Sequence, residues 1–291
     1  FSFYNSSVRT IEMWVKPFGS SQAPTSCSNS PFRFHSPTSN TVAVPIRQTL
    51  LQGIYDDLGY YSFSFGLITA PVSTYYSTDS FLLFSGSRNI SMYNFQVDDD
   101  EQDYVEVFSD ELVRIWSNVW THVAVTLDSQ NRITFYVNGI RAGTTPSPPI
   151  AVFRQVYLGG RMSSTERVSS PITDVFCGII DEVRLWSVTL DQAQVQRSMS
   201  RRADEPTAIL FNFPMQARAS QVENTPSIIA YWDFNEGVGD VSIDRVSNHA
   251  TLHLGLQFAF ERPRWVPSDG ALDNDSHLSP LLIDLCHTRS Y

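Results

Sequence analysis

Apolar and polar residues alternate along much of this chain, most clearly over residues 120–143, WTHVAVTLDSQNRITFYVNGIRAG. After Trp120, Val123, Val125 and Leu127 fall on one side of an extended segment and His122, Ala124 and Thr126 on the other. A period of two is the mark of a β-strand. Asp128-Ser129-Gln130-Asn131 carries turn chemistry. Ile133, Phe135 and Val137 then alternate with Thr134 and Tyr136, and Asn138-Gly139 follows. Both residues of that pair tolerate positive φ, which a two-residue hairpin turn requires. The segment predicts two strands and two turns.

The same pattern recurs along the chain. In TIEMWVKP, Ile11, Met13 and Val15 oppose Glu12, Trp14 and Lys16, and Pro17 ends the strand. Residues 18–44 are a long loop rich in Ser, Pro, Thr and Asn, of a length usually tied to function. Further strands are predicted over 47–55, 61–69, 81–95 and 152–158, and a short one over 209–213. In GIIDEVRLW, residues 178–186, Ile179, Asp181, Val183 and Leu185 share one face and Glu182, Arg184 and Trp186 the other. If Val183 and Leu185 face the core, Asp181 points inward, where a carboxylate needs a partner, hydrogen bonds or a metal. Thr189-Leu190-Asp191-Gln192 has the form of a capping box, with Thr189 as N-cap. It predicts a helix to about residue 200, burying Val195 and Met199.

Composition agrees with β-structure. Phe, Tyr and Trp number 19, 12 and 6, with 16 Pro and 14 Gly to make turns. The net charge of −10 argues against nucleic acid and anionic membrane surfaces as partners, and suits cations or neutral glycans. Three cysteines permit at most one internal bridge. The candidate pair is Cys27 with Cys177; Cys286 lies near the C-terminus, and no spacing suits zinc. Asn5, Asn89 and Asn274 begin N-x-S/T sequons and point to a secreted or surface glycoprotein. No apolar run has transmembrane length. A start at Phe1 leads us to expect further sequence upstream.

Four motifs, in order, resemble the laminin-G-like, pentraxin-related family of concanavalin A-like jelly rolls. They are T-I-E-x-W-V-K-P at residues 10–17; W-x-H-V-A-V-T, a turn and F-Y-V-N-G at 120–139; G-I-I-D-E-V-R-L-W-S with a following helix; and an aromatic strand, F-x-E-G-x-G, an Asp and a small polar loop within 228–255. Trp265-Val266 fits the pair that often closes such modules. The resemblance implies an all-β antiparallel sandwich with one short helix over residues 1–266, followed by a tail or linker at 267–291. It also implies a calcium site built from Asp181, Asp244 and Asn248 with backbone carbonyls, which suits a cation that takes 6–8 oxygens. From the residues alone, Asp244 and Asn248 equally well cap a turn.

Three functions follow as expectations. The first is a non-catalytic recognition or adhesion module, outside the cell or on its surface, binding a glycan or an extracellular protein through exposed aromatics and long loops. The second is a structural subunit of a surface filament or matrix. The third uses the acidic run at 98–106, where Glu101, Asp103 and Glu106 have the E-x-D-x-x-E spacing of retaining glycoside hydrolases with this sandwich; the alternative is a solvated acidic turn. His122, on the strand face away from the core residues, is read as structural or half-exposed. No Ser-His-Asp, Cys-His or phosphate-cradling pattern is evident in local sequence.

Overall fold

The computed structural model describes residues 8–17, 46–54, 62–72, 75–87, 104–109, 113, 115–116, 118–146, 155–162, 172–173, 176, 178–200, 228–238, 241–246, 252–253, 264–265 and 281–283. The strands are β1 (Thr10–Pro17), β2 (Ile46–Ile54), β3 (Ser62–Val72), β4 (Tyr75–Ser87), β5 (Tyr104–Phe108), β6 (Thr121–Leu127), β7 (Arg132–Val137), β8 (Ile140–Pro146), β9 (Gln155–Leu158), β10 (Arg161–Met162), β11 (Ile172–Thr173), β12 (Gly178–Trp186), β13 (Ile228–Trp232), β14 (Val241–Ser242), β15 (Leu252–His253), β16 (Arg264–Trp265) and β17 (Leu281–Ile283). One helix, α1 (Gln192–Met199), follows β12.

Two antiparallel sheets carry the fold. The larger runs β16-β17-β12-β1-β6-β7-β8, with β13 also paired to β12; the smaller runs β5-β4-β3-β2-β9. Ile11, Met13, Val125, Phe135 and Leu185 of the larger sheet join Leu51, Phe63, Phe65 and Leu67 of the smaller one in a single apolar core. This is the β-sandwich with one short helix that the alternation predicts. The strand predicted from residue 81 begins earlier, at Tyr75, and is described to Ser87; residues 88–95 of that prediction lie outside the described residues.

The hairpin of 120–143 supplies β6 and β7 and runs into β8, an edge strand of the larger sheet. Asp128 closes its first turn, with Oδ1 accepting from the amides of Gln130 (2.8 Å) and Arg132 (2.9 Å). Asn138 and Gly139 make the second turn at φ 49° and 70°. Gly139 is required there twice over, because a Cβ would also stand 2.6 Å from Cγ of Gln196 on α1.

Every residue of β6 and β12 is buried, on both faces. The inner face meets the smaller sheet. The outer face is covered by α1, whose Val195 packs with Leu190, Ala124, Tyr136 and Trp186. The helix starts two residues later than predicted. The Thr189 hydroxyl donates to the carbonyl of Leu127, so Asp191 becomes the N-cap, with Gln194 completing the box. The helix buries Ser198 with Val195, while Met199, expected to be buried, is only partly so.

Residues 281–283, within the segment expected as a tail or linker, add a strand to the larger sheet. Ile180, Ile179 and Gly178 pair with Leu281, Leu282 and Ile283. The short Leu-Leu-Ile run has the composition of a strand, and β12 offers it an edge beyond the reach of β13.

Candidate functional site

Beneath α1 the outer face of the larger sheet is charged. Glu12 on β1 lies opposite Arg184 on β12 and beside Ala124 on β6, while Trp14 lies opposite His122. Glu12 and His122 are both 0% exposed. Burying a carboxylate in this way is costly unless its oxygens are engaged. Glu12 Oε1 accepts from the Trp186 indole (3.0 Å) and the Ser198 hydroxyl, and stands 3.7 Å from Arg184 Nη1. Arg184 donates through Nη1 to the Ser198 carbonyl (2.8 Å) and through Nη2 to Glu182 Oε2. The same Glu182 oxygen accepts from the Tyr231 hydroxyl, and the guanidinium lies 5.0 Å over the Tyr231 ring. Two carboxylates therefore share one guanidinium. His122 Nε2 is 3.5 Å from Glu12 Oε2, an ion-pair separation at which neither atom has a hydrogen-bond partner.

The charges set one another. Burial alone would push Glu12 up, but His122, Arg184 and the Ser198 hydroxyl together hold it below the usual carboxylate range. Burial pushes Glu182 up, and Arg184 and Tyr231 only partly offset it. The two therefore act oppositely on stability: the contribution of Glu12 is lost as pH falls through its folded pKa, whereas raised Glu182 favours the fold as pH falls. Burial and the Glu182 charge push the Tyr231 phenol far up. A raised tyrosine stabilises fully below its unfolded pKa of about 10, and that stability drains away above it, by about 1.4 kcal/mol per pH unit for one group. Melting temperatures followed from about pH 8 to about pH 11 are expected to fall more steeply for the wild type than for Tyr231→Phe. Equal slopes would mean that Tyr231 titrates normally in the folded chain.

A bulge in β12 corrects the reading of Asp181. Glu12 pairs with Arg184, but Trp14, two residues on, pairs with Asp181, three residues back. The extra residue is accommodated with Glu182 at φ 54°. Asp181 thus lies on the Trp14 side, opposite the face that Val183, Leu185 and Ile180 give to the core. Its Oδ1 accepts from the Glu182 amide (2.9 Å) within the bulge.

The F-x-E-G-x-G motif is a clasp around β13. Asp244, 0% exposed, accepts through Oδ1 from the amides of Tyr231 (2.9 Å) and Val246 (3.0 Å), and the Arg245 amide donates to the Tyr231 carbonyl. Glu236 accepts from the Ile243 amide and the Ser242 hydroxyl, and Arg245 pairs with Asp233 (2.9 Å) and Glu236 (3.3 Å). Among the described residues, no three His, Cys, Asp or Glu side chains are gathered as a metal cluster. Asn248, the sequon residues Asn5, Asn89 and Asn274, the cysteines Cys27 and Cys177, the loop at 18–44, and Glu101 and Asp103 lie outside the described residues. Glu106 lies on β5, at an edge of the smaller sheet, opposite Ser85.

Of the two readings of His122, structural or half-exposed, the structure gives the first: it is fully buried against Trp14 and Glu12. Glu12, Glu182, Arg184 and Tyr231 were not singled out in sequence as a group. The available signal was two opposite charges, Glu12 and Arg184, each on the second face of a strand that also carries a Trp.

One further feature faces outward. Between Ile115, buried at 1%, and β6, Trp116 is 57% exposed and Val119 50%. Trp120 is half-buried, with the Lys16 ammonium 5.9 Å from its ring. Asn118, at φ 60°, donates its amide to the Pro17 carbonyl at 2.6 Å.

No curated protein matches the chain in sequence. Among solved structures, it is similar to the CBM40 module of the Ruminococcus gnavus IT-sialidase bound to alpha2,3 sialyllactose. That likeness has 14% identity and a TM-score of 0.40 over 66% of this chain and 82% of that one. It is also similar to a native heptameric SAP-like pentraxin from Limulus polyphemus, at 14% identity and a TM-score of 0.38 over 77% of this chain and 81% of that one. Among the described residues, no helix is long and apolar enough to cross a membrane. A laminin G family model, described as the concanavalin A-like lectin/glucanases superfamily, matches residues 65–196, from within β3 into α1. Residues 65–196 are thus similar to the laminin-G-like domains of the concanavalin A-like superfamily, the family that the sequence motifs resemble.

Proposed function

We propose that this chain is a glycan-recognition module that binds without hydrolysing, and that it works outside the cell or at its surface. The observation that carries the reading is the state of the clustered carboxylates in a domain similar to those of the lectin/glucanase superfamily. Glu12 and Glu182 are buried and engaged by Arg184, Trp186, Ser198 and Tyr231. A retaining hydrolase needs two carboxyl groups open to the sugar on either side of the scissile bond. These two are scaffold, which supports a surface that binds rather than cleaves. The edge position of β5 also sets Glu106 away from the middle of its sheet.

A glycan array probed with the whole chain is expected to give saturable binding, with no reducing ends released from the bound oligosaccharides. Absence of binding, together with self-association in sedimentation, would replace this reading with a structural subunit of a surface assembly. Release of reducing ends, lost on Glu106→Gln, would replace it with a hydrolase. The same proposal includes Ca²⁺ at the loop after Asp244, with Asn248 and Asp181 as the further oxygen ligands that the family resemblance implies. The ion would stabilise the loop rather than react.

A further inference from the structure

We propose that Trp116 is the stacking platform of the glycan site, and that neutral hexose-containing glycans are its ligands. This rests on the recognition reading above and gives it a place and a ligand class. Single exposed apolar residues are common on protein surfaces. Trp116 differs in what holds it. Its neighbour Ile115 is buried at 1% and anchors the segment in the core. Two residues on, Asn118 adopts a left-handed conformation and ties its amide to Pro17 at the end of β1. The Thr121 hydroxyl then donates to the Val119 carbonyl at 3.3 Å. The indole is thus presented on a short, tied segment at the ends of two adjacent strands, so little ordering is left for binding to impose.

The chemistry points to sugar. A large flat ring that is 57% exposed offers an apolar face, which the C–H side of a pyranose covers well. Exposed Val119 and half-buried Trp120 extend the apolar surface along the chain. Charge selects among glycans. The chain carries a net −10, and one cation at the end of β1, Lys16, lies over the Trp120 ring. Sulfated or polysialylated chains would meet net repulsion, whereas neutral hexoses would not.

The test uses the whole chain with lactose, cellotetraose, sialyllactose and a heparin fragment as probes, followed by titration calorimetry and tryptophan fluorescence. A neutral probe is expected to bind, and Trp116→Ala to weaken it by about tenfold or more, with the melting temperature unchanged. Trp116→Tyr, which keeps an aromatic face, is expected to retain most of the affinity. If Trp116→Ala proves unstable, Trp116→Tyr and the probe-induced change in indole emission still decide the question. Failure of every glycan to bind the wild type would remove the recognition reading and this site with it. Binding that Trp116→Ala leaves intact would remove the platform alone. Binding confined to sialyllactose or heparin would overturn the ligand class.

Discussion

Replacing Arg184 by Met is expected to destabilise the chain by about 3–5 kcal/mol, the usual cost of stranding a buried charge. Met fills much of the same space, so packing loss contributes little. The penalty comes from the carboxylates left behind. Glu12 and Glu182 both turn to this guanidinium, and both are buried, Glu12 completely and Glu182 to within 5%. Glu12 would keep Trp186, Ser198 and the nearby His122, whereas Glu182 would keep only the Tyr231 hydroxyl among the partners described above. Glu182→Gln is expected to cost far less, because an amide oxygen still accepts from Arg184 and Tyr231, and one guanidinium then faces one carboxylate. In the combined variant, Glu182→Gln should restore part of the stability lost with Arg184. Urea midpoints for the two single variants and the pair measure this directly, as a coupling energy. A loss below about 1 kcal/mol for Arg184→Met would show that water reaches the cluster.

Much of the scaffold is written in residue order. The period of two in 121–127 and 132–137, the Asn138-Gly139 turn and the capping chemistry near 189–194 are local signals, and local signals suffice where one face of a strand is apolar. They fail where a bulge breaks the strand register. In β12 the sequence GIIDEVRLW reads as one unbroken alternation, yet the bulge moves Asp181 to the other side. What decides the register is the fit of β1 and β13 on either side of β12, and no periodicity within β12 reports that. The same holds for His122. Its strand face is polar and looks solvated, until a helix 70 residues later closes over it. The candidate site was legible only as single residues. Asp244 is visible as a turn-forming Asp, but that its partner is Tyr231 N, thirteen residues earlier, follows from tertiary pairing. Trp116 has no motif at all; its significance is its exposure, which only the folded chain shows.

Asp244→Ala is expected to cost about 2–4 kcal/mol, because the buried Tyr231 amide loses its acceptor, at about 1–3 kcal/mol, and the partly buried Val246 amide adds a smaller loss. One of them, Tyr231 N, belongs to the strand that also places the Tyr231 hydroxyl on Glu182. Loosening β13 should therefore weaken the charged cluster as well as the clasp. Asp244→Asn separates the two roles that the sequence leaves open. Asn keeps an Oδ1 acceptor for both amides, so a capping role predicts a loss of about 1 kcal/mol or less. An ion ligand behaves differently, since the lost charge is what Ca²⁺ would have bound. If the loop after Asp244 holds calcium, the melting temperature of the wild type rises with added Ca²⁺ and falls with chelator, by up to about 2.7 kcal/mol equivalent at a hundredfold excess over Kd. Asp244→Asn should abolish that response while keeping most of the basal stability. A wild type indifferent to both Ca²⁺ and chelator would withdraw the calcium proposal. Asp244 would then be the clasp of β13 alone, the role its hydrogen bonds to Tyr231 and Val246 already give it.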